Sequence, residues 1–112
     1  MDLRVSNEPG YVLAQLSGRI DDSAGEAFRK QLHDPLGTSG TRLILDLSGA
    51  PYVNSQGLSH LVTLVAYANS KSSRVILCGV TTHVAGVFAV TKLDRFFDIM
   101  PTAADAIARK DG

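Results

Sequence analysis

Leu43-Ile44-Leu45-Asp46-Leu47-Ser48-Gly49-Ala50-Pro51-Tyr52-Val53-Asn54-Ser55-Gln56-Gly57-Leu58 is the stretch whose reading decides the fold. Its first five residues are an aliphatic run of the kind found in strands covered on both faces. Beyond Gly49 and Pro51 the period changes. Leu58, Leu61, Val62 and Val65 recur at i, i+3, i+4 and i+7, which predicts a helix reaching about Ser70. Asn54 or Ser55 can cap that helix, and Gly57 falls in its first turn, where the backbone is expected to lie open to an approaching partner. A hydroxyl is thus offered where a strand hands over to a helix. Unpaired N–H groups and the helix dipole make such a place hospitable to negative charge, so the simplest reading is a Ser55 that carries phosphate at some times and not at others.

Working outward, Leu3 to Asn7 and Tyr11 to Ser17 read as two strands joined through Glu8-Pro9-Gly10, an antiparallel hairpin. Gly18-Arg19-Ile20-Asp21 ends the second strand. Ser23 and Glu26 have capping-box spacing, with Asp22 as a rival cap, and predict a helix from about Ala24 to His33 that Asp34-Pro35-Leu36-Gly37 stops. Arg42 to Leu47 and Arg74 to Cys78 read as buried strands. The helix between them makes the pair parallel. Gly79-Val80-Thr81-Thr82 opens a third helix with Val84, Val87, Phe88 and Thr91 along one face. Asp98 to Met100 suits a short edge strand, and Thr102 with Asp105 opens a last helix to about Arg109. The predicted fold is α/β: a small mixed sheet of four to five strands with about four helices, in a single domain spanning residues 1–112.

Composition narrows the function. Hydrophobic residues make up 45% of the chain, too many for a disordered segment. Eleven Lys and Arg balance eleven Asp and Glu, which argues against nucleic acid or an anionic membrane as the main partner. Cys78 is the single cysteine, so no internal disulfide can form. Met1 to Val5 do not open a signal peptide, and no apolar run reaches membrane-spanning length. A cytoplasmic protein is expected.

Four pieces in this order resemble the STAS domains, and among them the bacterial anti-sigma factor antagonists. They are Leu45 to Leu58, Gly18-Arg19-Ile20-Asp21, Val75 to Val80, and Val87 to Phe97 with its Phe, Thr, Leu-Asp and late aromatic. The family pattern at the first piece is an aliphatic strand ending Asp-Leu, a short loop, then Asp-Ser-Ser/Thr-Gly-Leu. The resemblance implies that an anti-sigma serine kinase phosphorylates Ser55, that a serine phosphatase restores it, and that the unmodified form binds the anti-sigma factor. It also places Asp21 beside the phosphorylation site. The expected partner-binding residues are Asp21, Asn54, Ser55, Gln56 and Gly57. Two positions depart from the pattern: Asn54 stands where the family has Asp, and Gln56 where it has Ser or Thr. Asn keeps the capping ability and removes one negative charge.

Plainer readings compete with this one. Ser55 and Asn54 can be simple helix caps. Gly57 can merely relieve crowding. Cys78 reads as a buried thiol, and Phe88, Phe96 and Phe97 as core. His33, His60 and His83 have no metal-ligand spacing with one another or with Cys78, and no cofactor is expected. Five helical residues separate Ser55 from His60, which points them in different directions, and no Gly-x-Ser-x-Gly is present, so no catalytic residue is assigned. The alternative to a phosphorylated antagonist is a scaffold module of the same fold, without phosphotransfer at Ser55, in a regulatory or transport-associated assembly. Asn54 is the residue that favours it. The sequence does not specify an oligomeric state.

Overall fold

The aliphatic run becomes the central strand, β3 (Arg42–Gly49), two residues longer than predicted. On one side it pairs in parallel with β2 (Tyr11–Ser17), on the other with β4 (Arg74–Cys78). Strand β1 (Asp2–Glu8) runs antiparallel to β2 across a tight turn in which Gly10 takes φ +87°. A short edge strand, β5 (Asp98–Met100), adds in parallel to β4. The computed structural model describes residues 1–109, with the strands in the order β1-β2-β3-β4-β5. Five helices accompany them: α1 (Ser23–Gln31), α2 (His33–Leu36), α3 (Ser55–Ser70), α4 (Thr82–Thr91) and α5 (Ala103–Ala108).

Alternation along β3 explains its composition. Leu43, Leu45 and Leu47 enter a large core with Phe28 of α1, Leu61 and Leu64 of α3 and Phe88 of α4. Ile44 points the other way, to a smaller core with Ile76, Cys78 and Ala106 of α5. Both faces are covered, so between Arg42 and Asp46 the strand carries no polar side chain. Each such side chain contributes on the order of 1.5–3 kcal/mol by leaving water. Helix α5 is held on its face by Arg42, whose guanidinium donates to the Ala106 and Arg109 carbonyls, and by an Arg109–Asp98 ion pair. Thr102 caps that helix as predicted, accepting from the Asp105 N–H at 3.1 Å.

Several expectations are corrected. The Ser23–Glu26 capping box does not form. Instead Asp21 Oδ1 accepts from both the N–H and the hydroxyl of Ser23, at 3.0 and 2.6 Å. Helix α1 ends two residues early, and the Pro35 segment starts a fresh turn, α2, instead of a loop. Proline is tolerated there because a first helical turn has no N–H partners to lose. On α3 the buried stripe is Gly57, Leu61, Leu64, Val65 and Ala68, with Leu58 and Val62 only half-buried. Phe96 is exposed, unlike its neighbour Phe97. The last helix stops at Ala108.

Cys78 is fully buried, and burial, helped by the nearby Asp46 carboxylate, pushes its thiol up to about 11. In the native protein Cys78 should therefore resist iodoacetamide at mildly alkaline pH and react only once denaturant opens the fold, as intact mass would show. The unfolded chain releases that proton first, so stability should fall as pH rises through the ordinary thiol range.

Candidate functional site

Beyond the regular ends of β2 and β3 the two chains make one more parallel bridge, between Ile20 and Val53. The Ile20 N–H donates to the Tyr52 carbonyl at 2.9 Å, and the Asn54 N–H donates to the Ile20 carbonyl at 3.1 Å. Both bridge side chains are buried. This pairing carries Asp21 up against the start of α3.

Asn54, not Ser55, is the cap. Its backbone is extended, and its Oδ1 accepts from the Gly57 N–H at 2.9 Å. Ser55 becomes the first helical residue, exposed, with a hydroxyl the helix does not need. Gln56 beside it is also exposed, and Asn54 is half-buried. Gly57 departs from expectation, because its backbone is closed off. A Cβ there would stand 2.5 Å from the Ile20 carbonyl carbon and 2.9 Å from the Asp21 nitrogen. Only glycine permits that approach, so Gly57 shapes the surface from beneath it.

The electrostatics follow from the same packing. No acidic residue occupies the first turn of α3. Across from it, Asp21 is held below the usual carboxylate range by the Ser23 hydroxyl and then by the Ser23 N–H. His60, considered above as a partner for Ser55, turns to α1 instead: its Nε2 lies 2.9 Å from Asp22 Oδ1. The ring fills the space that Gly25 leaves, since a Cβ there would come within 2.5 Å of His60 Cε1. Asp22 and His60 thus fasten α1 to α3.

A second junction lies on the other side. The Tyr52 ring stacks on His83 with centroids 4.8 Å apart, and the Arg19 guanidinium carbon sits 4.5 Å from the same ring. The Thr81 hydroxyl donates to the Ala50 carbonyl at 2.7 Å, tying the approach to α4 to the approach to α3. From sequence His83 was weighed only as a metal ligand, and Arg19 and Tyr52 were given no role. Their contacts span 31 to 33 positions, and no local pattern reports them. Among the described residues no group of three His, Cys, Asp or Glu could hold a metal ion, and no helix is long and apolar enough to cross a membrane. What the arrangement offers is an exposed alcohol at a helix N-terminus, flanked by the Asp22–His60 and Tyr52–His83 contacts.

A sequence profile of the STAS domain matches residues 2–106. The chain is 25% identical over 103 residues to BtrV of Bordetella bronchiseptica, named as a candidate anti-sigma factor antagonist, covering 92% of this chain and 86% of that one. It also resembles the crystal structure of another candidate anti-sigma factor antagonist, from Thermotoga maritima, with TM-score 0.83, 21% identity and coverage of 94% and 91%. The anti-sigma factor antagonist SpoIIAA, in its unphosphorylated form, superposes with TM-score 0.76 at 18% identity, covering 95% of this chain and 93% of that one. These structures share the α/β fold described here.

Two substitutions test how the site is built. Gly57→Ala should destabilise the fold by about 1–3 kcal/mol, the usual cost of overpacking, read from the urea midpoint. Asn54→Ala should cost about 1 kcal/mol through the lost cap, while Asn54→Asp should keep it.

Proposed function

The chain belongs to the STAS-domain family, and on that premise we propose that it is an anti-sigma factor antagonist switched at Ser55. Its partner is an anti-sigma serine kinase that engages the surface around Asp21, Asn54, Ser55 and Gln56, with Gly57 setting the backbone beneath. The kinase phosphorylates Ser55, a serine phosphatase reverses the modification, and the unmodified form is the one that binds. The protein acts as one cytoplasmic domain, as a binding module without catalytic residues of its own.

The observation that carries this reading is the division of labour at the α3 N-terminus: Asn54 takes the cap and Ser55 is left exposed. Phosphate adds about −1.5 to −2 charge at neutral pH. At a helix N-terminus the dipole favours an anion by roughly 0.3–1 kcal/mol. Asn54 brings no negative charge against it. The fold therefore tolerates the phosphate, and its effect falls on the partner, whose surface must accept three more oxygens. An unpaired charge buried in an interface costs several kcal/mol, and about 1.4 kcal/mol is already tenfold in affinity.

Incubation with a cognate anti-sigma serine kinase and ATP should add one phosphate, seen by intact mass and lost in Ser55→Ala. Ser55→Asp should weaken kinase binding at least tenfold with the melting temperature nearly unchanged. A kinase that binds tightly yet leaves the mass unaltered would replace this reading with the scaffold module that Asn54 favours.

A further inference from the structure

Helix α4 carries an apolar face that the fold does not use. Its ten residues include no Asp, Glu, Lys or Arg. Val84 and Phe88 face the core. On the other side Val90 is 85% exposed, and around Gly86 there is open space where a side chain would stand. Thr82, His83, Gly86, Val87, Val90 and Thr91 line an open groove of about 420 Å³. A helix without charge on any side ordinarily has cover on every side. Seven of the ten residues of this one are exposed.

Two observations name the cover. The groove adjoins the approach to Ser55, because His83 at its head stacks on Tyr52, three residues before Ser55. Size is the second. A ten-residue helix is only about 15 Å long. Its footprint falls well short of the roughly 800 Å² per side of a stable interface, so a second copy seated on α4 alone would not hold. A surface running from Ser55 over Tyr52 and His83 to Val90 adds the approaches to α3 and α4 to that footprint. It also has the usual composition, polar at one edge with Arg19 and Ser55, and uncharged along α4.

We propose that the partner that reads Ser55 also seats an uncharged, apolar segment in the α4 groove. This rests on the reading given under the proposed function. Ser55 then decides whether the partner is admitted, and α4 supplies much of the hold.

The test titrates wild type, Ser55→Asp and Val90→Asp against a cognate anti-sigma serine kinase, with melting temperature and sedimentation recorded for each. Val90→Asp should weaken binding at least tenfold at an unchanged melting temperature, and Val90→Ile should bind like wild type. Should Val90→Asp lower the melting temperature, Gly86→Gln decides instead, since it blocks the groove while removing no apolar contact. Unaltered kinase binding by the groove variants, with Ser55→Asp impaired, would overturn the inference and leave the Ser55 reading intact. A concentration-dependent dimer lost in Val90→Asp, with kinase binding unchanged, would assign the face to a second copy and overturn it too. A kinase that binds none of the proteins, wild type included, would overturn both.

Discussion

The structure of the site depends on one close approach of two backbones. Ile20 pairs with Val53 beyond the end of the regular sheet, and Gly57 comes down on the Ile20 carbonyl with no room for a methyl group. That contact sets where α3 begins relative to the β2–α1 connection. It also sets where Asp21 lies, and Asp21 in turn organises the start of α1 through Ser23. A change in the width of this gap would move three segments at once.

Side chains around the gap divide the remaining tasks. Asn54 satisfies the helix, and Ser55 is thereby left to the solvent. Asp22 and His60 brace α1 against α3 on one flank, while Tyr52 and His83 brace the α3 and α4 approaches on the other. The alcohol thus sits exposed on a braced backbone and is not the helix cap. That is the arrangement the proposed switch at Ser55 requires.

Much of this was legible in the sequence, for physical reasons. The aliphatic runs of β3 and β4 are long, uninterrupted and bounded by turns, and the amphipathic pattern after Ser55 is strong. The α/β class and the parallel β3–β4 pair follow from them, whereas the parallel β2–β3 pairing that completes the strand order came only from the structure. Local chemistry was less decisive where two solutions compete. At α1 the carboxylate of Asp21 reached Ser23 first, and the expected box with Glu26 lost its serine. At Gly57 the absence of a side chain suggested access, whereas the gap it creates is filled by Ile20 from 37 residues earlier. Arg19, Tyr52, His83 and the Asp22–His60 pair were invisible because each contact joins separate elements of the chain. Ser55 itself was singled out from its place at a strand-to-helix junction, and the structure leaves it exposed there.

The central strand also separates the two ends of the molecule. Eight residues of β3 put roughly 25 Å between Arg42 and the Ser55 end. The loop 38–40, just before β3, is exposed at the far end. Because the one native thiol is shielded, a cysteine introduced at Ser39 would be the sole handle for maleimide chemistry. Immobilised on a sensor chip or conjugated to a dye through that handle, the molecule would present Ser55 outward, away from its own attachment.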